Sequence, residues 1–180
     1  MIGLLPKTLT IGGTDYEIRT DYHVALSILE AYDDPELNDY DKIRVCIELL
    51  YVKPVYSDEA LERAVWFLDG GDIPRSRINV RVMDWKQDEH MIFPAVNKAA
   101  GCEVRSLEYA HWWTFLGWFY GIGEGTFSTV VGIRYKQKRG KPLEKWERDY
   151  IRDNPEAVKL RNRLSEAEEE ELQKLKGIFN

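Results

Sequence analysis

Apolar and polar positions alternate with a period of two at the start of the chain and then switch to a period near 3.6. Leu9 and Ile11 alternate with polar neighbours, as do Tyr16 and Ile18, and Gly12, Gly13, Thr14 and Asp15 supply turn chemistry between them. This pattern predicts a β-hairpin. A lone hairpin is marginal in water, so it must dock on something else. The helical period then begins. Thr20 or Asp21 is placed to cap a first helix with the apolar face Ala25, Ile28, Leu29 and Tyr32, and Pro35 ends it. A second helix shows Ile43, Cys46, Ile47 and Leu50. A third starts at Ser57, carries acids in its first turn, and shows Leu61, Ala64, Val65 and Leu68 before Gly70 and Gly71 stop it. Residues 70–83 read as irregular. A fourth helix carries Ile92, Ala95, Val96 and Ala99, with Gly101 as C-cap and Pro94 expected to kink it or mark its start.

The next stretch, "YAHWWTFLGWFYGIG", is apolar nearly all round. A helix is expected from about Ser106, with Trp112, Phe115, Leu116 and Phe119 in one stripe and Tyr109, Trp113, Trp118 and Tyr120 off it. Such a helix is ordinarily the central, most buried one. A sixth helix begins at Thr126 or Ser128, carries Phe127, Val130 and Val131, and ends in "RYKQKRGKP". Beyond Pro142 the texture changes. Leu143, Trp146 and Tyr150 make a short amphipathic piece, and a charged helix follows with Leu160, Leu164, Leu172 and Leu175 as a thin apolar line. The pattern predicts a mainly α fold. A helical domain with an N-terminal hairpin spans residues 1–140, and a charged helical segment spans residues 141–180.

Composition narrows the function. The chain has 180 residues, 44% hydrophobic and 31% charged, enough for a real core. Its net charge of −6 argues against a dedicated nucleic-acid binder. Two distant cysteines, Cys46 and Cys102, give no disulfide framework, and the default is a reducing cytoplasm with both thiols packed as small apolar groups. No signal peptide is visible at the N-terminus. Glu108 and Glu124 bracket only fifteen residues, too few for a membrane span.

Candidate chemistry is sparse. His90, Cys102, His111, Asp84 and Asp88 match no compact zinc spacing. A nucleophilic Cys102 with either histidine has no support in sequence proximity. "GIGEG" lacks the order of a phosphate-binding loop and reads as a turn. A flat cofactor against the aromatic helix is less expected than a packed core. "RYKQKRGK", residues 134–141, carries five basic residues and is the best local hint of an anionic partner. Cations at a helix C-terminus, or pairing with the acidic run "EAEEEE" at residues 166–171, explain it as well. Neither enzyme chemistry nor a cofactor is expected. Trp and Tyr dominate interface hot spots, so Trp112, Trp113 and Trp118, with Leu172 and Leu175 of the tail, are the candidate partner-binding residues. The thin tail stripe also suits self-association.

Several stretches together resemble a known family. "LPKTLTIGGTDYEIRTDY" looks like the opening hairpin and helix of the phage proteins named after gene product fifteen. "DWKQDEHMIFPAVNKAAGCEV" resembles that family's aspartate-flanked helix leading to a Gly, although Pro94 departs from a smooth helix. "LEYAHWWTFLGWFYGI" resembles its His-Trp-Trp-x-Phe helix, and "FSTVVGIRYK" the helix ending in Arg that follows. The likeness runs in order through residues 1–140. It implies a tail assembly chaperone of long-tailed phages, without catalysis. Such a protein would bind the tape-measure protein, help recruit tail-tube subunits, act in the host cytoplasm and be absent from the finished virion. The alternative is a small phage protein that binds nucleic acid through residues 134–141.

Overall fold

The structure is a computed structural model and describes residues 3–71 and 80–161. β1 (Thr8–Ile11) and β2 (Thr14–Glu17) form an antiparallel hairpin with Leu9 opposite Tyr16. Gly12 and Gly13 both take positive φ, 55° and 79°, which two-residue hairpin turns demand and glycine supplies without strain. Thr14 and Asp15 therefore belong to β2, not to the turn. The hairpin docks as expected. Leu9, Ile11 and Ile18 are buried, and the Gly12 amide donates to Glu59 at 2.9 Å.

Residues 18–22 form a strap between two parts of the fold. On one side Arg19 N–H donates to Leu50 O at 2.7 Å and Val52 N–H to Glu17 O at 3.0 Å. On the other, Tyr22 N–H donates to Ala110 O at 3.0 Å and Trp112 N–H to Thr20 O at 2.7 Å. The strap thus joins the hairpin to the end of one helix and the start of another, 89 residues apart in the Asp21 contact to Ala110.

The helices are α1 (Tyr22–Tyr32), α2 (Asp39–Leu50), α3 (Asp58–Leu68), α4 (Glu89–Ala100), α5 (Trp112–Tyr120), α6 (Thr126–Lys138), α7 (Lys145–Asp153) and α8 (Pro155–Val158), with a 3₁₀ turn at Val104–Ser106. Those through α7 follow the predicted order, but the charged helix expected after residue 154 stops at Val158, where Lys159 turns extended, so Leu160 is not helical. Asp21, Asn38 and Ser57 cap the first three, each side chain accepting from an otherwise orphaned amide. Gly101 ends α4 at φ 73°, the left-handed cap that Gly allows. Pro94 lies inside α4, which starts five residues earlier at Glu89. Its exposed ring removes only the N–H that would bond the His90 carbonyl.

Three expectations shift in detail. α5 begins at Trp112, not near Ser106, because His111 is its N-cap and residues 107–110 run extended beside the strap. α3 buries Ala60, Ala64, Phe67 and Leu68, so its inner face is rotated toward Phe67 and away from Leu61 and Val65. Cys102 is exposed, because the left-handed Gly101 turns the chain outward, whereas Cys46 is fully buried.

The core gathers around α5. Phe115 is fully buried and stacks on Tyr22 with centroids 4.7 Å apart and planes 3° from parallel. Trp112 stacks on Phe115 at 5.7 Å, and Phe93 and Trp85 lie 6.2 and 6.3 Å from the same ring. No helix among the described residues is long and apolar enough to cross a membrane. Truncating the shared ring, Phe115→Ala, is predicted to cost about 3–5 kcal/mol, whereas Tyr120→Ala at the exposed end of the same helix stays within about 0.5 kcal/mol. Urea unfolding of the two variants measures both.

Candidate interaction site

His111 organises the start of the aromatic helix. Its Nδ1 accepts from the Trp113 amide at 3.1 Å, and its Nε2 lies 2.9 Å from the carbonyl of Pro6, so the ring that caps α5 also ties down the chain before the hairpin. It is buried and has no metal-binding neighbours: no group of three or more His, Cys, Asp or Glu suited to a metal occurs among the described residues. His90 is exposed on α4, and Cys102 is exposed just after the Gly101 cap. Burial pushes the Cys46 thiol up, so it stays protonated and inert at neutral pH.

The candidate rings separate by depth. Trp112 faces the interior, 1% exposed, with its indole N–H donating to Leu68 O at 2.9 Å. Trp113 is half-buried. Its indole N–H donates to Phe67 O at 2.8 Å, and its ring meets Trp66 edge-on at 5.2 Å. Trp118 is also half-buried. Two rings that the stripe left aside are open: Tyr109 is 55% and Tyr120 72% exposed, at opposite ends of α5. The Tyr109 hydroxyl is paired with Thr20 Oγ1 at 2.7 Å, which fixes that ring while leaving its face available. Leu172 and Leu175 lie outside the described residues.

A groove of about 440 Å³ opens between α4, the turn at residues 122–125 and the α7–α8 corner. Its apolar floor includes Met91, Pro94 and Phe127, and Lys98 and Glu124 stand among its lining residues. The "GIGEG" turn is one wall of this groove.

The basic stretch 134–141 is largely committed to the fold. Arg134 is 2% exposed, and Asp88 accepts from it twice, at 2.6 and 3.0 Å. Its remaining N–H groups donate to the carbonyls of Val82, Ala157 and Val158. Lys136 pairs with the buried carboxylate of Glu147 at 2.8 Å. Arg139 and Lys141 lie over the Tyr135 ring. The nucleic-acid alternative thereby loses Arg134 and Lys136 to internal pairs. α7 and α8, the described part of the 141–180 segment, are held against α6 by these same contacts. The acidic run at 166–171 lies outside the described residues.

Two outcomes follow from this geometry. A Cβ at Gly71 would sit 2.8 Å from the Trp113 ring, and Gly71 already has φ +85°. Gly71→Ala is predicted to cost at least about 1–2 kcal/mol and to move the Trp113 ring, read as a changed near-UV circular dichroism spectrum. The Lys136 ammonium, by hydrogen bonding, holds the Glu147 carboxyl below its ordinary value of 4.5. A lowered folded-state value means that the pair stabilises fully above pH 4.5 and loses its contribution as pH falls through the depressed value. Glu147→Gln is therefore predicted to unfold more easily than the parent at pH 7 and to approach it at low pH, by urea unfolding across that range.

No curated protein and no solved structure matches the chain. The sequence model of the family described as Bacteriophage Gp15 protein matches residues 1–160. That span takes in the hairpin, the strap, the His111-capped aromatic helix and the Arg134 seam. The likeness to the gene product fifteen proteins thus holds over nearly the whole chain, which belongs to this bacteriophage family.

Proposed function

We propose that the protein is a tail assembly chaperone of a long-tailed phage. It binds the tape-measure protein, keeps that chain soluble and assists tail-tube assembly. It works in the host cytoplasm, without catalysis or cofactor, and leaves before the virion is finished. The observation that carries the reading is membership of the Bacteriophage Gp15 family across residues 1–160. The surface supports it in a second way. Tyr109 and Tyr120 are exposed at the two ends of α5, with half-buried Trp113 and Trp118 between them. Rigid aromatic rings anchored in a packed helix are the usual partner anchors, because they bury much area with little loss of freedom.

Co-expression with the tape-measure protein of the same phage, followed by affinity purification, tests the proposal. The expected result is a soluble complex, with the tape measure insoluble when made alone. A tape measure that stays insoluble and unbound beside a folded partner would refute it. Within a complex, Tyr120→Ala is expected to weaken binding at least tenfold while leaving the unfolding midpoint near the parent value, since that ring is exposed.

A further inference from the structure

α2 turns a ladder of polar and aromatic side chains away from the core. Tyr40, Arg44 and Glu48 stand four residues apart and so share one face of the helix. Glu48 pairs with Arg44 at 3.5 Å and accepts from the Tyr56 hydroxyl at 3.0 Å, which brings Tyr56 from beyond the helix to the same face. Both rings stand in solvent, Tyr40 at 72% and Tyr56 at 62% exposure. Acids frame them. Asp39 adjoins Tyr40, and Asp58 and Glu59 begin α3 just after Tyr56. From Tyr22 to Leu68 the chain carries ten acidic and four basic side chains, so this part of the surface is negative.

The corner of α6 and α7 has the same ingredients with the opposite sign. Lys136 in the last turn of α6 pairs with Glu147 in α7, which sets these two helix ends side by side. Tyr135 and Trp146 are the sequence neighbours of that pair and are 40% and 55% exposed. Arg139 and Lys141 lie over the Tyr135 ring, and exposed Lys145 adjoins Trp146. Residues 138–148 hold five basic side chains and two acidic ones, and one of those two, Glu147, is buried.

Exposed Tyr and Trp rings are the usual interface anchors, and opposite potentials on facing surfaces set the partner and the register. Both surfaces are exposed in the same molecule, so they do not cover each other within it. α2 packs on α1 and α3, whereas α6 packs on α4 and α8. We infer that the α2 face of one copy docks on the α6–α7 corner of a second copy, with Tyr40 and Tyr56 meeting Tyr135 and Trp146 and the acids meeting the lysines. A contact between unlike surfaces leaves one of each unused at the two ends. Copies therefore add head to tail, into short chains or a closed ring. This assembly belongs to the protein alone and does not rest on tape-measure binding.

Analytical ultracentrifugation of the full-length protein tests it. The average mass of the parent is expected to rise with concentration, and association to weaken several-fold in 1 M salt, where the screening length falls to about 3 Å. Tyr40→Ala with Tyr56→Ala removes one surface, and Lys145→Ala with Trp146→Ala removes the other. All four side chains are exposed, so both variants should keep the unfolding midpoint of the parent. Each variant alone is expected to be a monomer. Mixed in equal amounts, they should form a dimer that grows no further, because each retains the surface that the other lacks. A parent that stays monomeric up to its solubility limit overturns the inference, and so does one that stays monomeric and takes up single-stranded DNA on the basic corner instead. Either variant assembling like the parent, or a mixture that fails to dimerise, also overturns it.

Discussion

Burying a guanidinium is costly unless every one of its donors is met, and Arg134 meets that condition. All five of its N–H groups find acceptors: both oxygens of Asp88, and the carbonyls of Val82, Ala157 and Val158. One side chain on α6 therefore fixes the start of α4, the extended segment before it, and the carbonyls of α8. Asp88 does more than balance the charge. It also accepts from the Asp84 amide at 2.9 Å, and Asp84 in turn receives the amides of Lys86 and Gln87. The turn at residues 84–88 is thereby shaped around the carboxylate that holds Arg134. The fork geometry matters, because a lysine would offer one point charge where five directed donors are used. This seam joins α4, α6 and α8.

The second organiser is the strap at residues 18–22. Residues that begin as the end of a hairpin pair with the end of α2 and with the residues that start α5. This places Tyr22 under Phe115 and lets the dense run of rings divide by depth. Trp112 and Phe115 close the core, Trp113 and Trp118 lie at its margin, and Tyr109 and Tyr120 stand outside. The aromatic stretch therefore closes the core and also leaves rings exposed, with one short helix and the residues that lead into it. Its nine residues are far too few for a bilayer.

Much of this was legible in the sequence. Period-two alternation around two glycines located the hairpin, because the turn needs positive φ at both positions. The 3.6-residue period located α1 to α6, and Gly101 marked its cap. The start of α5 was not legible. His111 is an uncommon cap, and an extended approach of apolar residues looks like a preceding helical turn. The depth of Arg134 was hidden for a different reason. In sequence it is one of five cations, and its burial depends on Asp88, 46 residues away, and on carbonyls that carry no sequence signal. Cys102 looked like a core thiol beside a glycine, but a left-handed cap directs the next residue outward. For the candidate site, aromatic density pointed to α5, yet which rings face solvent follows from helix phase and from the indole bonds to Phe67 and Leu68. Helix phase could have singled out Tyr120, off the buried stripe, but not Tyr109, which precedes α5.

The central claim is that the Asp88–Arg134 pair, buried and fully bonded, holds α4, α6 and α8 together. A double-mutant cycle on unfolding free energy tests it most directly, with Asp88→Leu, Arg134→Met and the two combined. Each single change leaves a buried group without its charge partner and is predicted to cost about 3–5 kcal/mol, while the double change costs clearly less than their sum. Two single changes that each cost under about 1 kcal/mol and simply add would contradict the account.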